Sequence, residues 1–104
     1  NSQVSANINF SQINFLPGVI DLANEGIIPG GTKRNLDYAE KFAHFSESLS
    51  PTQKLLACDA QTSGGLLISL PETEANRFIS VFGEQAISIG NVAEQNNYVV
   101  SISP

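Results

Sequence analysis

Polar and apolar positions alternate strictly near the start of the chain, with Val4, Ala6, Ile8 and Phe10 set against Ser5, Asn7, Asn9 and Ser11. Period two is the mark of a β-strand with one wet face. After residues 13–16, Pro17-Gly18 opens a helix with Val19, Ile20, Leu22 and Ala23 on its apolar face. Asp21, Asn24 and Glu25 fall on the wet side. Proline suits a first helical turn, where a missing N–H loses no partner. Gly26 is the expected stop, because glycine takes the left-handed conformation without a Cβ penalty. Asn35 is the expected N-cap of a short helix through Leu36, Tyr38, Ala39 and Phe42. Residues 42–45 end that helix or begin an extended segment; periodicity leaves both open. His44 there reads as a partly exposed helix-end residue.

The second half repeats these signals. Ser50 can cap a helix with Pro51 at its first position, turning Leu55 and Leu56 toward the core. Residues 66–70 are apolar nearly throughout and read as a strand covered on both faces, stopped by Pro71. Residues 72–82 read as a helix, acidic in its first turn as the macrodipole prefers. Its expected core face is Ala75, Phe78, Ile79 and Phe82, and Gly83 ends it. Residues 86–93 read as a strand interrupted by Gly90 at a bulge. Asn96-Asn97 makes a turn, and residues 98–102 form a closing strand that pairs with its predecessor as a hairpin. The expected fold is α+β: one domain over residues 1–104, a small mixed β-sheet with helices mainly on one face.

Composition narrows the functional classes. The 104 residues carry a net charge of −5, which disfavours bulk attraction to nucleic acid or an anionic membrane. No apolar run approaches the roughly 20 residues that cross a bilayer. The N-terminal residues lack the charged and apolar regions of a signal peptide. One cysteine, Cys58, and one histidine, His44, rule out an internal disulfide and any multi-thiolate zinc site, and suit a reducing cytoplasm. Cys58 sits in an apolar segment and reads as a small buried side chain. With no methionine in the chain and asparagine first, a domain of something longer is expected.

Candidate chemistry gathers in two glycine-rich stretches. The first is Pro29-Gly30-Gly31-Thr32-Lys33-Arg34-Asn35, which places two of five basic residues side by side on an acidic background. Successive glycines can aim several N–H groups at one point as an anion-binding nest, beside a helix N-terminus. The second is Asp59-Ala60-Gln61-Thr62-Ser63-Gly64-Gly65, between two apolar runs. Its order, helix then glycine loop then strand, is the reverse of a P-loop, and it has no P-loop lysine. Each stretch also has a plain reading, as a polar turn whose glycines serve backbone geometry.

Taken together the two stretches resemble the carboxy-terminal domain of the selenophosphate synthetase (selenide, water dikinase) family, in the aminoimidazole-ribonucleotide-synthase-like superfamily. The resemblance extends to Leu16-Pro17-Gly18-Val19 and Ile89-Gly90-Asn91-Val92, and so runs through most of the chain. One departure is Ala60, where the family often has proline. The resemblance implies an ATP-dependent phosphotransferase that makes selenophosphate from selenide, with water and Mg²⁺, in the cytoplasm. It places nucleotide, magnesium and the reactive cysteine on an amino-terminal domain. This chain is therefore expected to be inactive alone, with no catalytic residue, metal ligand or cofactor of its own. Its expected partner is that ATP-binding domain, and a homodimer is compatible with the superfamily. The candidate cleft residues are Gly30, Gly31, Thr32, Lys33, Asn35, Asp59, Gln61, Thr62, Ser63, Gly64 and Gly65. Two other classes fit the same residues: a free-standing anion- or protein-binding module, and a domain of another ATP-dependent synthase of the superfamily.

Overall fold

The computed structural model describes residues 2–104. The alternating opening forms β1 (Val4–Asn9), and it lies inside a four-stranded mixed sheet rather than at its margin. The other strands are β2 (Ala43–Phe45), β3 (Gly90–Glu94) and β4 (Val100–Ser103), in the order β2-β4-β1-β3. β1 pairs antiparallel with β3 and parallel with β4, and β4 pairs parallel with β2. The helices are α1 (Val19–Asn24), α2 (Gly30–Ala39), α3 (Pro51–Ala57) and α4 (Glu72–Phe82). The fold is α+β, as the pattern predicts.

Register explains which face is apolar. Ala6 and Ile8 of β1 stand opposite Val100 and Ile102 of β4, which in turn face Ala43 and Phe45 of β2. These positions share one face because side chains alternate across a strand. Phe10, Leu49 and Ile102 form the buried centre over it, with Ile8, Phe45, Leu56 and Val100 packed around them. Burying each large side chain contributes about 1.5–3 kcal/mol. α3 reaches that centre through Leu56 and Ala57 and is started by a capping box. Ser50 Oγ accepts from the Gln53 N–H at 3.1 Å, and Gln53 Oε1 accepts from the Ser50 N–H at 2.8 Å. The expected start at Ser50-Pro51 stands, as does Gly26, whose φ of 83° is left-handed.

The opposite face carries Ser5, Asn7 and Asn9, and there the alternation misleads. Ser5 is fully buried. Its Oγ donates to the Tyr98 carbonyl at 2.6 Å and accepts from the Asn96 N–H at 3.0 Å, so the 96–98 turn folds over it. Removing that hydroxyl strands a carbonyl and an N–H. Ser5→Ala should cost about 1–2 kcal/mol, read as a lower melting temperature in calorimetry.

Several expected elements differ. β3 and β4 do not form a hairpin, because β1 lies between them. The connection after Glu94 is long enough to step over one strand, so the Asn96-Asn97 turn serves a crossing. Gly90 is not a bulge; it begins β3 opposite Ile8. Residues 42–45 resolve into β2, and His44 is an exposed strand residue, not a helix end.

The largest departure is residues 66–70. They form no strand and are exposed, Leu66 at 90% and Leu67 at 78%. α4 forms as expected, and Ala75, Phe78 and Ile79 of its expected core face are half-buried while Phe82 is not. Phe82 stays 55% exposed and stacks on Phe78 at 4.3 Å. Helix α1 likewise buries only Ala23 fully.

Candidate functional site

The two glycine-rich stretches meet at Thr32. α2 begins at Gly30, so Gly30 and Gly31 occupy its first turn with ordinary helical backbone. That removes the expected nest, which needs glycine conformations outside the helix. Asn35 is not an N-cap but lies mid-helix, one turn beyond Thr32 on the same side. Both side chains point to the end of α3. Thr32 is 1% exposed; its hydroxyl donates to Asp59 Oδ1 at 2.9 Å and accepts from the Ala60 N–H at 3.2 Å. Asn35 Nδ2 donates to the Cys58 carbonyl at 3.1 Å. α2 thus binds the last turn of α3 and the start of the following loop at three points.

Glycine at 31 favours closeness rather than a special φ. A Cβ at Gly31 would lie 3.2 Å from the Ala60 Cβ, tighter than ordinary packing allows. The departure at residue 60 also acquires a role. Alanine keeps the N–H that donates to Thr32, which a proline would lack.

Beyond Ala60 the loop opens outward. Gln61 Nε2 reaches Asp59 Oδ2 at 3.5 Å, and Gln61 Oε1 sits close to Gly64. Asn35, Asp59, Ala60, Gln61 and Thr62 line an open depression of about 470 Å³. Thr32, Asn35, Asp59, Gln61 and Thr62 are therefore brought together. Ser63, Gly64 and Gly65 continue the exposed loop, and Lys33 is exposed on α2. Arg34, singled out in the sequence with Lys33 but not counted among the cleft residues, has its guanidinium beside Gly30 and Gly31, within 4.0 Å of where their Cβ atoms would be. Its position one turn after Gly30 was the available signal.

Cys58 ends α3 and is half-buried. Burial, and then the Glu40 carboxylate, push its thiol above the ordinary range. Raising a thiol's pKa favours the neutral form, so any stabilisation it gives is lost as pH rises through the folded value. Iodoacetamide should alkylate Cys58 more slowly than free cysteine at pH 8, with the rate climbing at higher pH; a faster rate would contradict this.

The cluster supplies amide, hydroxyl and backbone groups, with one carboxylate already hydrogen-bonded. Mg²⁺ demands near-octahedral oxygen ligands. Among the described residues no group of three or more His, Cys, Asp or Glu is placed to hold a metal ion. No helix of the described residues is long and apolar enough to cross a membrane.

Known proteins resemble the chain over most of its length. The chain is 37% identical over 108 residues to a selenide, water dikinase of Aliarcobacter butzleri, covering 99% of this chain and 31% of that protein. It is 40% identical over 105 residues to the selenide, water dikinase of Pseudomonas putida, covering 97% of this chain and 29% of the relative. With that of Yersinia pestis it is 47% identical over 76 residues, 72% of this chain and 21% of the relative.

The chain belongs to the selenide, water dikinase family.

It spans about a third of the length of these relatives or less, so within the selenide, water dikinase family it corresponds to one domain of a larger protein. No protein-family model matches the chain.

Proposed function

We propose that this chain is the carboxy-terminal domain of a cytoplasmic selenide, water dikinase and forms one wall of its interdomain cleft. Its partner is the ATP-binding domain of the same protein, which supplies nucleotide, magnesium and nucleophile. The observation that carries the reading is the Thr32–Asp59 junction, which unites both glycine-rich stretches and presents Gln61 and Thr62 beside Asn35. Phosphoryl transfer depends mainly on positioning and charge neutralisation. Exposed amide and hydroxyl groups on an anchored loop suit that task, and they help most where closure excludes water. The single Cys58 supports the cytoplasmic assignment.

Surface area supports membership of a larger body. The chain exposes 7867 Å², whereas a self-contained globule of this mass exposes about 5,700 Å². Its radius of gyration is 14.5 Å, against about 13 Å for a compact domain of this length.

The test is a full-length chimera in which this chain replaces the matching third of the Pseudomonas putida relative. Thr62→Ala with Ser63→Ala should lower kcat/KM for ATP-dependent selenophosphate formation by about tenfold, or roughly 1.4 kcal/mol of transition-state stabilisation. Melting temperature should hold, since both side chains are exposed. Full activity with a lowered melting temperature would assign the loop to packing alone.

A further inference from the structure

Among the described residues, an exposed apolar stretch runs over residues 66–70, and its last residue, Leu70, lines one depression with Phe78, Val81 and Phe82 of α4. Leu66 and Leu67 are 90% and 78% exposed, and Val81 of α4 is 75% exposed. Ile68, Leu70 and Phe82 extend the same region of chain, also exposed. Among the described residues, backbone groups of residues 61–70 make no hydrogen bond to the sheet or to any helix. Ala75, Phe78 and Ile79 of α4 are half-buried, whereas Val81 and Phe82 at its end are exposed. The arm is fixed at both ends: Ala60 is held by Thr32, and β3 is paired to β1.

We propose that residues 66–70 and the Val81–Phe82 end of α4 form the surface on which the remaining two thirds of a relative-sized polypeptide docks. The inference rests on the domain reading above and names the face involved. Two observations select that occupant. The chain exposes roughly 2,200 Å² beyond a self-contained globule of its mass, ample beside the roughly 800 Å² per partner of a standard interface. The relatives supply the other body, since this chain spans only 31% and 29% of the first two. A segment of the same polypeptide also outcompetes a second copy, because tethering sets an effective concentration near the millimolar range. The occupant is thus a mainly apolar surface joined covalently to this domain. Glu72, Glu74 and Arg77 along α4, with Glu84 in the turn after it, supply charged positions for a polar rim.

Single-cysteine probes test this in the Pseudomonas putida chimera and in the chain by itself, both carrying Cys58→Ala. Maleimide labelling at Leu67→Cys and Val81→Cys, read peptide by peptide by mass spectrometry, should slow at least about tenfold in the chimera relative to the free chain. Labelling at Glu47→Cys, in the exposed turn before α3, should be equal in both. Equal rates at all three positions would overturn the proposal. Slow labelling already present in the free chain would also overturn it, assigning the face to a second copy if it depends on concentration and to self-closure if not. A second measurement needs no chimera: Leu67→Asp and Val81→Asp should leave the free chain's melting temperature within about 2 °C, and a larger loss would show that the face is already packed. Protection in a chimera without selenide turnover would refute the enzymatic reading while leaving the docking face standing.

Discussion

Gly90→Ala should cost at least about 3 kcal/mol, the upper end of overpacking penalties, and lower the melting temperature by more than about 12 °C. The reason is steric and lies in the backbone. A Cβ at residue 90 would overlap the Asn7 carbonyl oxygen and sit 2.9 Å from the Asn7 carbonyl carbon and 3.0 Å from the Ile8 Cα. No rotamer change can relieve a clash with main chain. β1 cannot retreat either, because its other edge is paired with β4. β3 would have to leave, taking with it the Asn9 N–H to Ile89 carbonyl bond of 2.8 Å. Gly65→Ala is the matched control, since nothing lies within 4 Å of its Cβ position and its φ is not positive. It should be neutral or slightly stabilising through the unfolded state. Urea unfolding of both variants decides the matter, and a Gly90→Ala loss below about 1 kcal/mol would show that the strands can part locally.

Thr32→Val should cost about 2 kcal/mol and free the loop beyond Ala60. Valine keeps the shape of threonine but offers neither donor nor acceptor. Asp59 Oδ1 then loses its 2.9 Å donor, and the Ala60 N–H loses its 3.2 Å acceptor. Thr32 is the most deeply buried residue of the cluster, at 1% exposure, so water cannot replace its hydroxyl without disturbing α2 and α3. Amide exchange at Ala60 should accelerate by at least about tenfold, and the urea midpoint should fall. Thr32→Ser, which retains the hydroxyl, should recover most of the loss. Equal behaviour of Val and Ser would show that methyl packing, not the hydrogen bonds, holds the junction.

The two substitutions differ in what the sequence could say about them. The glycine at 90 was noticed, yet its reason was misread. A break in an apolar run suggests a bulge, whereas the actual constraint is the approach of a strand more than 80 positions earlier in the chain. Thr32 stood in a stretch marked as candidate chemistry, but its partner Asp59 lies 27 residues away and no local pattern links them. Ser5 was assigned to a wet face by alternation. Its burial depends on the 96–98 turn, 93 residues distant at Tyr98.

Local physics made other features legible. The Ser50–Gln53 capping box, the helix of residues 72–82, the left-handed stop at Gly26 and the strand beginning at Val4 all follow from contacts within a few residues. Residues 66–70 show the limit of that reasoning. An apolar run states only that something should cover it, and among the described residues Leu66 and Leu67 stay largely exposed.

What the sequence determined by itself was therefore the α+β class, the Ser50 start of α3, the span of α4, and the kinship carried by the two glycine-rich stretches. What the tertiary structure decided was strand order, with β1 inserted between β3 and β4, and the burial of Ser5 and Thr32. The division has one physical cause. Caps, turns and periodicity are fixed by neighbours along the chain, whereas pairing partners and buried polar groups are chosen by residues that only folding brings within hydrogen-bond reach.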